Sequence, residues 1–181
     1  DPDGGDDGLP LDLGEFDEWN ENRIVEWELE QVPEHAGIQK LVADLNNMYK
    51  EHPELYILDD SPAGFQWINQ ISANDCYLTF LRKGIRKEQV LLVAANFSGI
   101  EKEITTGVPY AGKYKEILNT DDKKYGGSGI VNGRVKPSKK IEWDDRENSI
   151  TVKLAPLSVS ILKYVPAEPE NKKKTGKVSK K

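Results

Sequence analysis

From Ile38 onward the apolar residues Leu41, Val42, Leu45, Met48 and Tyr49 return at three- and four-residue steps, the period of one helical face. Gln39, Lys40, Asp44, Asn47 and Lys50 occupy the opposite side and would meet water. Pro33 lies just ahead and Pro53 blocks continuation beyond His52, so the spacing predicts a helix from about Glu34 to Glu51. A single helix of that length is marginal in water, so its apolar stripe has to be covered by something.

After the turn Ser61-Pro62-Ala63-Gly64 the period changes to that of short strands. Cys76–Leu81 and Val90–Phe97 are bounded by Gly84 and Gly99, and the second run is apolar on both faces, as a central strand would be. Lys113–Leu118 alternates charged and apolar residues. Ser149–Leu154 alternates clearly, and Leu157–Val165, after the Ala155-Pro156 break, is its expected partner. Short strands separated by Gly- and Pro-containing turns point to a mainly β chain, an antiparallel β-sandwich preceded by one helix. Asn119–Asp145, with Gly126-Gly127-Ser128-Gly129, reads as one long loop, which in a compact domain is functional or mobile.

The chain has 181 residues, room for one ordinary domain with a helical appendage but not for a complete (β/α)8 barrel of about 250 residues. No apolar run approaches the roughly 20 residues that span a bilayer, and the start DPDGGDDG is acidic where a signal peptide is basic and then apolar; no membrane partner and a soluble, cytoplasmic protein are expected. A formal charge of −6 argues against nucleic acid as a partner, because phosphate contacts need a basic face. Arg23 is the only basic residue before Glu34, whereas the tail NKKKTGKVSKK is nearly all lysine. These segments divide the chain into an acidic leader over 1–13, a helical part over 14–62, a sandwich over 63–165 and a lysine-rich tail over 166–181, leader and tail both expected to be disordered. Cys76 is the sole cysteine, which rules out an intrachain disulfide and reads as a small core residue.

No catalytic or metal-binding constellation stands out. His35 and His52 flank the predicted helix about five turns apart, and neither a CxxC nor an HExxH spacing occurs. Tyr125-Gly126-Gly127-Ser128-Gly129 lacks the GK[ST] ending of a phosphate-binding loop, and no cofactor is expected. Carboxylates are plentiful, but they lie in segments without the apolar surroundings that would raise one pKa of an acid–base pair. The tryptophans are more suggestive. Trp19, Trp27, Trp67 and Trp143 stand among Asn, Asp, Glu and Gly, and a flat apolar ring beside hydrogen-bonding groups is what a sugar needs.

Several strings then become specific together: GEFDEWNENR, VEWELE, PEHAGIQKLVADLN, AGFQWI, VAANFSG, GKYKEILNTDDKKYGGSGI and LAPLSVSILKY. In order and interval they resemble the C-terminal end of bacterial glycogen (1,4-α-glucan) branching enzymes, α-amylase-type proteins. The resemblance runs from about Gly14 to Val165. It implies that 14–62 is the end of a catalytic barrel, that a C-terminal sandwich follows, and that the helix packs on barrel strands. The family's catalytic acids sit after earlier barrel strands, so none is assigned here and the chain is expected to be inactive alone. Glu15, Trp19, Asn20 and Arg23 match the family's cleft-lining GxEFG…EWNxxR pattern, although Asp17 alone separates Phe16 from Glu18 where about four further residues are usual. An α-glucan is the implied ligand, with Trp67, Tyr125 and Trp143 as further candidate contacts. The missing barrel is the implied partner, and the apolar helix face also predicts self-association. A free-standing carbohydrate-binding sandwich is the alternative.

Overall fold

The computed structural model describes residues 27–69 and 73–166. A 3-10 turn over Trp27–Gln31 leads into helix α1, Pro33–Glu51. The helix opens on Pro33, whose fixed φ suits the first helical position. It ends where His52 turns to φ −117° and ψ 90° ahead of Pro53, the stop expected from the sequence.

Eight strands follow among the described residues: β1 Phe65–Asn69, β2 Tyr77–Lys83, β3 Val90–Asn96, β4 Lys102–Val108, β5 Gly112–Asn119, β6 Lys136–Pro137, β7 Asn148–Leu154 and β8 Ser158–Pro166. They form a six-stranded sheet in the order β1-β2-β3-β8-β5-β6 and a two-stranded sheet of β4 and β7. All pairings are antiparallel, as expected. Between the sheets Leu81, Leu92, Tyr114 and Leu162 meet Val108, Val152 and Leu154 in a closed apolar core. Thr79 and Thr106 satisfy each other across that core at 3.2 Å, which removes the cost of burying two hydroxyls.

The helix lies on the other face of the large sheet, giving three layers. Leu91 and Val93 of β3, Leu118 and Ile161 form a second core, and Leu41, Leu45 and Met48 of α1 pack against it. β3 is therefore buried along its whole length: Leu92 and Ala94 face the small sheet while Leu91 and Val93 face the helix. The two-faced apolar run in the sequence has this cause.

Three expectations need correction. β8 does not pair with β7; it runs between β3 and β5, and β7 pairs with β4 in the other sheet. The turn through Pro156 and Leu157, which takes φ +48°, carries the chain across the sandwich. Cys76 is not a core residue but an exposed one at φ +52°, just ahead of β2. The stretch 119–145 is no single loop, since it contains the 3-10 turn Lys123–Tyr125 and strand β6.

Candidate functional site

Of the residues singled out in the sequence, Glu15, Trp19, Asn20 and Arg23 lie outside the described residues. Trp67 and Trp143 are exposed, at 43% and 46%, whereas Tyr125 is buried at 8% and does not offer its ring as a platform. Its hydroxyl donates to the Asp44 carboxylate at 2.6 Å, and the Lys124 ammonium lies over its ring. Hydrogen bonds from Lys124 first and Tyr125 second hold Asp44 below the usual carboxylate range.

The turn that carries Tyr125 is organised by Asp121. Its carboxylate accepts from the Ser128 N–H and hydroxyl and from the Ile130 N–H at 2.7–3.0 Å. Burial alone would push that carboxyl up, but these donors outweigh it and hold it below its ordinary value. Beside it, a bulge at Ile117 interrupts the β5–β8 register, and Glu116 accepts from Asn119, from the Asn132 N–H and side chain, and from the Ser160 hydroxyl. With its oxygens so engaged, Glu116 is a brace between β5, β8 and the loop rather than an acid–base group. The sequence signal for this network was NTDDKKYGGSG, which pointed to the segment without revealing that its polar groups face inward.

Trp67 belongs to an aromatic cluster on the helix side of the large sheet, edge-on to Phe65 at 5.0 Å and to Phe80 at 5.8 Å. Between this cluster and α1 runs an apolar groove of about 610 Å3 lined by Leu45, Tyr49, Leu55, Phe65, Phe80 and Val93 among others. The helical stripe is divided along its length. Leu41, Leu45 and Met48 are taken by the sheet, while Ile38, Val42 and Tyr49 remain 62%, 50% and 52% exposed. The sequence showed the stripe but not that its own sandwich would cover one half of it.

Trp143 sits elsewhere, on the tight turn Trp143–Arg146 that precedes β7, beside the small sheet. Arg146 donates a guanidinium N–H to the Trp67 carbonyl at 3.1 Å, so this turn is tied to β1 while the two indoles belong to different surfaces.

At the end of α1, the Glu54 carboxylate is buried with Oε2 lacking a hydrogen-bond partner, and His52 Nδ1 lies 3.6 Å from it and 3.4 Å from Lys163 Nζ. Burial first and the Lys163 charge second push the His52 pKa down, against the opposing pull of Glu54. No helix among the described residues is long and apolar enough to cross a membrane.

A family model for the alpha amylase, C-terminal all-beta domain matches residues 67–165. Three relatives carry the name 1,4-alpha-glucan branching enzyme. That of Aquifex aeolicus is 39% identical over 84% of this chain and 24% of its own length. That of Prochlorococcus marinus is 39% identical over 86% of this chain and 21% of its own. That of Oceanobacillus iheyensis is 34% identical over 83% of this chain and 24% of its own. The chain thus corresponds to a C-terminal part of such enzymes and spans between a fifth and a quarter of their length.

Proposed function

The chain belongs to the alpha amylase C-terminal all-beta domain family, and from that premise we propose that it serves a 1,4-α-glucan branching enzyme as a docking and glucan-holding portion without catalytic acids of its own. The observation that carries the docking role is the divided stripe of α1. One half packs on the sheet and is partly buried, while the other half, Ile38, Val42 and Tyr49, stays exposed, with Tyr49 lining the apolar groove beside Phe65 and Phe80. Exposed apolar surface of this kind is characteristic of an interface, and a catalytic barrel is the partner that the resemblance to branching enzymes implies.

A chimera tests this. In the Aquifex aeolicus relative, the matching quarter is replaced by this chain and branching of amylose is followed by the fall in iodine absorbance. The chimera is expected to branch, and Ile38→Glu with Val42→Glu is expected to abolish activity while leaving the isolated chain folded. Full activity of the double variant removes the docking role.

The second reading, a carbohydrate-binding sandwich that works without a barrel, draws on the exposure of Trp143. It requires the isolated chain to be a monomer that is retarded by glycogen in affinity electrophoresis. Self-association abolished by the same double variant favours the docking reading instead.

A further inference from the structure

We propose that the groove between Trp143, the start of β2 and the edge strand β4 is an α-glucan-binding site, with the Trp143 indole as its stacking platform. The inference rests on the branching-enzyme reading for the identity of the ligand, but the site itself is drawn from geometry. The groove encloses about 380 Å3 and is lined by Asp75, Tyr77, Lys102, Glu103, Thr105 and Trp143 among others. That volume falls within the range of small-ligand sites, roughly 300–1,000 Å3.

Trp143 is held there by an unusually constrained turn. Its N–H and carbonyl exchange hydrogen bonds with Arg146 at 2.9 and 3.0 Å, and the intervening Asp144 and Asp145 both take left-handed backbone, φ +50° and +56°. Two successive non-glycine residues in that region store strain, which surroundings must over-determine. The Asp144 carboxylate accepts from the Gly107 N–H of β4 at 2.9 Å. Arg146 donates to the Asp144 carbonyl at 2.7 Å and to the Trp67 carbonyl at 3.1 Å, so the turn is anchored to both sheets. Gly107 is required for this anchoring because a methyl group there would run into the Trp143 carbonyl. The backbone that carries the half-exposed Trp143 indole is therefore fixed in place beside β4.

The remaining lining suits a neutral polyhydroxyl chain. Asp75 and Glu103 offer acceptors and Lys102 donors, so the lining carries both kinds of hydrogen-bonding group with a small negative excess that disfavours an anionic ligand. The Tyr77 hydroxyl accepts from the Asn69 side chain at 3.3 Å, an arrangement that leaves its proton for an acceptor. A pyranose stacked on the indole would present its hydroxyls to these groups. Trp67, in contrast, stacks within the aromatic cluster beside α1 and belongs to the docking surface.

The test is a titration of the whole chain with maltoheptaose by calorimetry, alongside Trp143→Ala, Trp143→Phe and Trp67→Ala, with circular dichroism confirming the fold of each. The expected result is at least a ten-fold loss of affinity for Trp143→Ala, partial retention for Trp143→Phe and no change for Trp67→Ala. Unchanged affinity of Trp143→Ala overturns this site while leaving glucan holding in place. Absence of binding by the unaltered chain overturns both, and equal affinity for the β-linked cellohexaose overturns the α-glucan assignment. The docking role is untouched by all of these outcomes, since the chimera reads it separately.

Discussion

Gly37 of α1 lies so close beneath the backbone carbonyl of Tyr125 that no methyl group fits between them. A glycine inside a helix ordinarily costs about 1 kcal/mol relative to alanine. Here it allows the helix to approach the turn organised by Asp121, and Asp44, two helical turns on, takes the Tyr125 hydroxyl and the Lys124 ammonium. The family-like strings PEHAGIQKLVADLN and NTDDKKYGGSG, far apart in sequence, are thus two halves of one contact.

This contact reverses the usual effect of a helix substitution. Gly37→Ala should lower the thermal midpoint of the chain instead of raising it, because either α1 or the Tyr125 turn must move. Thermal unfolding followed by circular dichroism decides the sign, and an increase in the midpoint contradicts the packing described.

The division of the α1 stripe predicts unequal costs on one helix. Leu45→Ala removes atoms packed against the second core and should cost about 1–2 kcal/mol, less than the roughly 2–5 kcal/mol of a fully buried leucine because Leu45 is only half-buried. Val42→Ala, on the exposed half, should stay within about 0.5 kcal/mol. Urea unfolding of both variants measures the difference, and equal costs would show that the isolated chain covers the whole stripe.

How far the fold was legible follows from which interactions are local. The α1 boundaries were readable because Pro33, Pro53 and the three-four spacing act within the segment itself. β3 was readable because both of its faces are apolar. β1 and β4 were not: Phe65–Asn69 is short and lies at an edge, while Lys102–Val108 carries Thr105, Thr106 and Gly107, whose partners are distant. The pairing of β8 with β3 and β5 was hidden for the same reason, since alternation reports that a segment is a strand and not which strand lies beside it. At the candidate sites, Trp143 and Tyr125 have the same appearance in sequence, an aromatic beside polar residues. Only the long-range partner Asp44 makes one of them structural.

His52 gives the chain a pH dependence of definite sign. Its folded-state pKa is depressed, through burial and Lys163, so the native state favours the neutral ring. The unfolded state then binds more protons over that interval, and stability falls as pH drops through the unfolded value near 6.5 toward the folded one. Glu51 and Glu54 oppose the shift and limit its size. The thermal midpoint should therefore decline on acidification below about pH 6.5, and His52→Gln should flatten that part of the curve. A curve for His52→Gln that superimposes on the original over this interval rejects the assignment.

The strained turn beneath Trp143 separates two neighbouring aspartates. Asp145 occupies left-handed backbone at φ +56°, a region where glycine is free of the Cβ penalty, and Asp-Gly is the favoured pair for such a two-residue turn. Asp145→Gly should therefore stabilise the chain, by up to about 1 kcal/mol. Asp144 has nearly the same backbone, φ +50°, but its carboxylate also holds the Gly107 N–H. Asp144→Gly trades the relieved strain against a lost charge-assisted hydrogen bond, of about 1.5–3 kcal/mol, and should destabilise on balance. Opposite signs in urea unfolding are the expected outcome. Stabilisation by both would mean that the carboxylate tie to β4 contributes nothing, and that the turn's geometry is set by Arg146 alone.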